Sequence, residues 1–238
     1  VMFNMSFKSS SITIIFLLAF FIGFPSLILA HGVDDNTKQF LLDNQGVSII
    51  PFLYIGAKHM VTGYDHLLFL IGVIFFLYRT KDVLVYVTLF TIGHSLTLMS
   101  GVLNNIAVNP YLIDAIIGIS VVYKGFDNLG GFQRLFHYQP NTKLAVLIFG
   151  LFHGFGLATK LQEFQIPNDG LLENLIAFNV GVELGQFFAL TVVLIAISFW
   201  RRHRSFLQFS TVANSLLMSG GMMLVAYQLT GYFWHTIG

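Results

Sequence analysis

Long apolar runs alternate with short polar loops along most of the chain. A helix needs about 20 mostly apolar residues to cross a bilayer. Six stretches approach or exceed that length: Tyr64–Tyr78, Val83–Val102, Tyr111–Phe126, Leu144–Ala158, Leu175–Trp200 and Phe209–Trp234. An apolar stretch from Val47 to Thr62 precedes the first and contains Lys58 and His59, with Gly63 just beyond. It reads as an interfacial or re-entrant piece, or as the outer part of one long tilted helix. Ahead of it, residues 1–30 have the layout of a secretory signal: Lys8 as the single charge, an apolar run from Ile12 to Phe24, and a cut expected after Ala30. Residues 31–48 are polar and read as a short exported arm, leaving 49–238 as one helical membrane domain. The expected fold class is therefore an all-α polytopic membrane protein with about six transmembrane helices after an N-terminal signal peptide.

Composition sharpens this picture. The chain is 55% hydrophobic and 10% charged, against about 25% charged in soluble domains. Too few charges exist to cover a soluble protein of this size. The net charge of +1 gives no field that would attract nucleic acid. No Gly-rich phosphate loop is present, so ATP hydrolysis is not expected. The sequence contains no cysteine, which excludes disulfides, thiolate metal sites and iron–sulfur clusters. Basic residues set an orientation. Arg79 and Lys81, then Lys124, Arg134 and Lys143, then Arg201, Arg202 and Arg204 fall in alternate loops, whereas the opposite loops hold only Lys160. The basic loops are expected in the cytoplasm and both mature termini outside.

Ionisable residues inside apolar spans are costly and mark function. His59, Asp65, His66, His94, Asp114, His153, Glu173 and Glu183 form such a set. The orientation assigns most of them to the outer half or the middle of the membrane, with His59, Asp65 and His66 at the outer end of the first span. Imidazole and carboxylate without thiolate suit nickel, cobalt or zinc. On a straight helix His59 and His66, seven residues apart, stand about 10 Å apart along the axis, too far to share an ion bound at about 2 Å. Either they are successive stations, or Gly63 breaks the helix and folds one toward the other. Asp65 is a ligand, an orienting acceptor for an imidazole, or a helix cap. Ser95 adjoins His94 and offers a local hydrogen bond. Asn179, Glu183 and Gln186 share one helix face, and Glu183 in an apolar span must be paired, metal-bound or protonated. The metal set is thus His59, Asp65, His66, His94, His153 and Glu183. Asn179, Asp114, Glu173 and Ser95 are its outer supports.

The spacing His59-x5-Asp65-His66, with Leu67-Leu68-Phe69-Leu70 after it, resembles the hallmark of the HupE/UreJ family. Gly93-His94-Ser95, Phe152-His153-Gly154 and Asn179-x-Gly181-Val182-Glu183-x-Gly185-Gln186 are similar to that family too, particularly to its second subgroup. The similarity spans roughly residues 47–235. It implies a bacterial inner-membrane protein of about six spans with a cleaved signal, and nickel supply to hydrogenase or urease. It also assigns metal handling to His59, Asp65, His66 and His153. The chain departs from the nickel-linked members after Phe152-His153-Gly154. There they carry a second His and a Glu; here Phe155-Gly156-Leu157-Ala158 follow, and His94 and Glu183 are the residues available to replace them.

Three functions stay open at this level. The first is a permease for a divalent metal, nickel or cobalt foremost, captured from outside. The second is an intramembrane metal-dependent hydrolase with Glu183 or Asp65 as general base. The third is an accessory protein delivering metal to a metalloenzyme-maturation partner. The bilayer and a divalent ion are the expected partners, and glycine-rich helix faces suit contacts within one chain or in a homo-oligomer.

Overall fold

A computed structural model describes residues 46–162 and 169–237. The signal reading over 1–30 and most of the exported arm lie outside the described residues. The described chain is entirely helical: α1 Ile49–Thr62, α2 Tyr64–Ile74, α3 Thr80–Leu103, α4 Pro110–Asn128, α5 Gly131–Phe136, α6 Thr142–Gln162, α7 Leu171–Arg201 and α8 Ser205–Ile237. Four of these, α3, α6, α7 and α8, are long and apolar enough to cross a membrane. This is a polytopic helical membrane protein. Asp114, Lys124 and Asp127 lower the hydropathy of α4, and α1 and α2 are each too short to span.

The helices pack mainly in pairs: α3 with α6, α1 with α7, and α4 with α8. Small residues let the backbones touch, because lipid supplies no hydrophobic force to drive helices together. A side chain on Gly154 would strike the His94 carbonyl and the Thr97 hydroxyl, and one on Gly181 would strike the Leu53 carbonyl. These contacts also fix direction. Residues 53, 57 and 60 meet 181 and 185 in ascending order, and residues 90, 94 and 101 meet 150, 154 and 158 likewise, so both pairs run parallel. In the third pair 111, 118 and 125 meet 231, 221 and 214, so α4 and α8 run antiparallel. Such directions suit a chain that crosses at α1–α2, α3, α4, α6, α7 and α8 in turn.

The break between α1 and α2 is splinted by α7. At one end the Asn174 side chain accepts from the Ser48 amide at 2.7 Å and donates to the Gly46 carbonyl at 2.8 Å. At the other, the Arg201 guanidinium donates to the Ile74 and Phe75 carbonyls at 2.6 Å and to that of Leu77 at 2.8 Å. It thus satisfies carbonyls that the last turn of α2 leaves open. Half-helices of 14 and 11 residues sum to about 37 Å at 1.5 Å per residue, enough for one broken crossing. The Val47–Thr62 stretch, expected as an interfacial or re-entrant piece or as the outer part of one long tilted helix, forms α1, which meets α2 at Gly63. Inside the bundle α2 is almost wholly enclosed, with Phe69, Leu70, Val73 and Ile74 all buried.

Candidate metal centre

Gly63 makes the site. Its amide donates to the His59 carbonyl at 2.8 Å and closes α1, while its own carbonyl accepts from the Leu67 amide at 3.1 Å and opens α2. Between these bonds the backbone of Gly63 is extended, with φ −75° and ψ 90°. The helix axis therefore does not separate the two histidines: their rings stand 5.0 Å apart, centre to centre. The same residue leaves room for the site, because a Cβ on Gly63 would lie 2.7 Å from His66 Nδ1. Of the two geometries open to this segment, the chain adopts the folded one.

His66 is the hub. The ring of His153 is 4.7 Å away and that of His94 is 6.3 Å away. Asp65, His66 and His153 offer ligand atoms that all lie within 4.8 Å of one another. Two ligands of one ion at about 2.1 Å stand no more than about 4.2 Å apart, so small side-chain rotations close this trio on a cation. His94 and His153 each lie nine residues from the same end of their helices, at Leu103 and Gln162, or about 14 Å along the axis. The cluster lies near the middle of α3 and α6 along their length. His59, Asp65 and His66 lie at the break between α1 and α2, beside the middles of α3 and α6.

Hydrogen bonds decide which nitrogens face the ion. His66 Nδ1 meets Asp65 Oδ1 at 2.8 Å, and His153 Nδ1 meets the Phe149 carbonyl at 2.8 Å. A carbonyl or carboxylate oxygen only accepts, so each Nδ1 carries a proton, and with the ring neutral the lone pair is at Nε2. Those Nε2 atoms are buried and have no hydrogen-bond partner among the described residues. The same holds for His59 Nε2 and for both ring nitrogens of His94. Buried nitrogens are normally satisfied. Several bare nitrogens around one point, two of them with the opposite nitrogen pinned, have the arrangement of metal ligands held by outer hydrogen bonds. Asp65 lies in the first turn of α2, with its Oδ1 on the His66 ring.

The other expected residues fall elsewhere. Glu183 is exposed on the outer face of α7. Gly181 and Gly185, each two residues away, face α1, so at 100° per residue Glu183 points about 160° from that contact. It does not reach the cluster. Asp114 is buried near the start of α4, where the Lys160 ammonium binds it at 2.9 Å and Gln228 donates at 3.3 Å. Glu173 is exposed in the first turn of α7, where its charge suits the helix dipole. Ser95 is half-buried, and among the described residues no hydrogen bond joins it to a histidine. Asn179 donates to the Leu175 carbonyl at 2.9 Å, which leaves its shielded Oδ1 open.

Three further residues belong to the surroundings. Phe90 packs against three of the imidazoles, its ring 4.9 Å from His153, 6.1 Å from His94 and 6.4 Å from His66. Thr91 donates to Gln186 Oε1 at 2.9 Å and ties α3 to α7. Gln186 was legible only as a face-mate of Glu183, yet it is fully buried where Glu183 is not. The signal for Phe90 was its place four residues before His94, one helical turn away.

A model of the family described as HupE / UreJ protein matches residues 35–236. No curated protein and no solved structure matches the chain.

Proposed function

The chain belongs to the HupE/UreJ family, and from that premise we propose that it is a membrane permease for a divalent transition metal, nickel foremost and cobalt next. The cargo station consists of Asp65, His66 and His153, with His59 and His94 as flanking donors on either side of His66. The supporting observation is the pair of pinned imidazoles: two Nε2 atoms buried and without a partner among the described residues, held by Asp65 and by the Phe149 carbonyl. Nitrogen and carboxylate donors without thiolate suit these borderline ions. A cargo site must also release its ion, and a trio that closes only by side-chain rotation is suited to exchange. In this reading the protein lies in a bacterial inner membrane with its mature termini outside.

A hydrolytic centre is the weaker reading. It requires a base beside the ion, and its candidates were Glu183 and Asp65. Glu183 faces outward and Asp65 is bonded to His66.

Flux into liposomes tests the proposal. Vesicles holding the purified protein and a metal-sensitive dye are given external nickel. Influx is expected with wild type, and His66→Ala and His153→Ala should each fall to the level of empty vesicles. Equal flux in those variants and wild type would overturn the assignment.

A further inference from the structure

Three cluster histidines each have a phenylalanine one turn away on their own helix. Phe69 follows His66 on α2, Phe90 precedes His94 on α3, and Phe149 precedes His153 on α6. The phenylalanines meet each other as the histidines do, so α2 runs against α3 and α6, and all three rings lie on one side of the cluster. That side faces the helix ends at Ile74, Thr80 and Thr142. Phe69 stands 5.8 Å from Phe90 and 5.6 Å from Phe149, centre to centre, and Phe69 and Phe90 are fully buried. The layer lies directly against the imidazoles: the His153 ring is 4.9 Å from Phe90 and 6.0 Å from Phe69. Behind it Tyr123 packs on Phe149 at 5.3 Å, and the Lys124–Asp127 ion pair follows, closed at 2.6 Å. The opposite side of the cluster is small and polar. Thr97, one turn beyond His94, donates to the Leu151 carbonyl at 2.7 Å, and Gly154 lies against it. Gly156, one turn beyond His153, leaves room for Asp114, since a Cβ there would stand 3.7 Å from Asp114 Oδ1. Lys160, two turns beyond His153, holds that carboxylate.

We infer that Phe69, Phe90 and Phe149 form the closed inner gate of the station, which is reached only from the side of Leu103 and Gln162. A divalent ion leaving its ligands needs water or donor atoms at each step. A layer of touching rings offers neither, and hydrophobic constrictions close ion paths in this way. The Asp114 side offers oxygen donors instead. Phe69 touches both other rings, so its displacement alone breaks the layer. The helix ends that the layer faces adjoin Arg79, Lys81, Lys143 and Arg201, the residues that the positive-inside bias assigns to the cytoplasm. The structure therefore holds the station closed toward the cytoplasm. The role of a gate rests on the proposed transport; the seal itself does not.

The absence of cysteine permits a clean test of accessibility. His94 is buried and its ring nitrogens have no hydrogen-bond partner among the described residues, so His94→Cys breaks no such bond and places a thiol at the station. Membrane vesicles of both orientations, without added metal, are treated with a small charged thiosulfonate. The exposed positions Asn105→Cys and Asn141→Cys identify the face that each preparation presents. His94→Cys should label from the Asn105 face and not from the Asn141 face. Combined with Phe69→Ala, it should label from the Asn141 face as fully as from the other. Where Phe69→Ala does not yield a folded protein by circular dichroism and gel filtration, Phe149→Ala, which removes a half-buried ring, carries the test. Labelling of His94→Cys from the Asn141 face with all three rings intact, labelling from neither face, or an unchanged pattern in the alanine variant would overturn the inference. A protein that keeps the expected pattern yet carries no nickel in the liposome assay would sink the transport reading and leave the seal standing.

Discussion

In the proposed station Asp65 also acts by fixing a proton on its neighbour. Its carboxylate holds the hydrogen on His66 Nδ1 and so turns Nε2 inward. Losing such a partner typically costs 10–100-fold in metal affinity, and Asp65→Ala should fall in that range by calorimetric titration with nickel. Asp65→Asn keeps an acceptor oxygen and should lose less; an equal loss in both variants would make Asp65 a direct ligand instead of an orienting group. Gly63→Ala should lower affinity as well, since the new methyl would press on His66 Nδ1 at 2.7 Å, while circular dichroism still reports a helical protein. Wild-type affinity in Gly63→Ala would show that the close approach is not needed. These residues were legible because ionisable groups stand out in an apolar span. Glu183 stood out for the same reason, but its destination was not legible. Helical spacing shows that it lies opposite Gly181 and Gly185, and only the docking of α1 on those glycines shows which side is the interior.

Among the elements, α7 does for the broken crossing what a continuous backbone would otherwise do. Asn174 ties down the start of α1 and Arg201 receives the carbonyls at the end of α2. Hydrogen bonds to charged groups contribute about 1.5–3 kcal/mol each, so Arg201→Ala should lower stability by at least about 2 kcal/mol in denaturant titrations in mild detergent. Arg201→Lys should recover little of this, because an ammonium cannot reproduce the fixed fork of a guanidinium. Full recovery by lysine would mean that charge alone matters at this position. Sequence reading took the Arg201–Arg204 cluster as a topology anchor, and the capping role was hidden because its carbonyl partners lie more than 120 residues away. The crossing itself was legible as the Tyr64–Tyr78 span; what stayed open was whether Val47–Thr62 is a separate interfacial or re-entrant piece or its outer part, because neither half reaches the roughly 20 apolar residues of a full span.

At the scale of the whole molecule, the alternation of basic loops predicts one orientation, and the helix directions suit six crossings. Single cysteines in the exposed Asn105 and Asn141 positions report it. A membrane-impermeant thiol reagent added to intact cells should label Asn105→Cys and spare Asn141→Cys; the reverse would invert the topology and put the basic loops outside. The all-α class was legible from hydropathy alone. The pairing of α3 with α6 and of α1 with α7 was not, because neither pair is adjacent in the chain and glycines permit close contact without naming the partner. That pairing gathers three histidines from separate crossings around one carboxylate, and metal uptake is its most direct test. Cells expressing wild type or the Asp65→Ala, His66→Ala double variant are grown with scarce nickel, cobalt, zinc, copper and manganese, and their metal content is measured by elemental analysis. Nickel, or else cobalt, should accumulate only with wild type. Equal metal content in both, with about one ion retained per purified wild-type chain and none in the variant, would contradict transport and leave a resident metal site in its place.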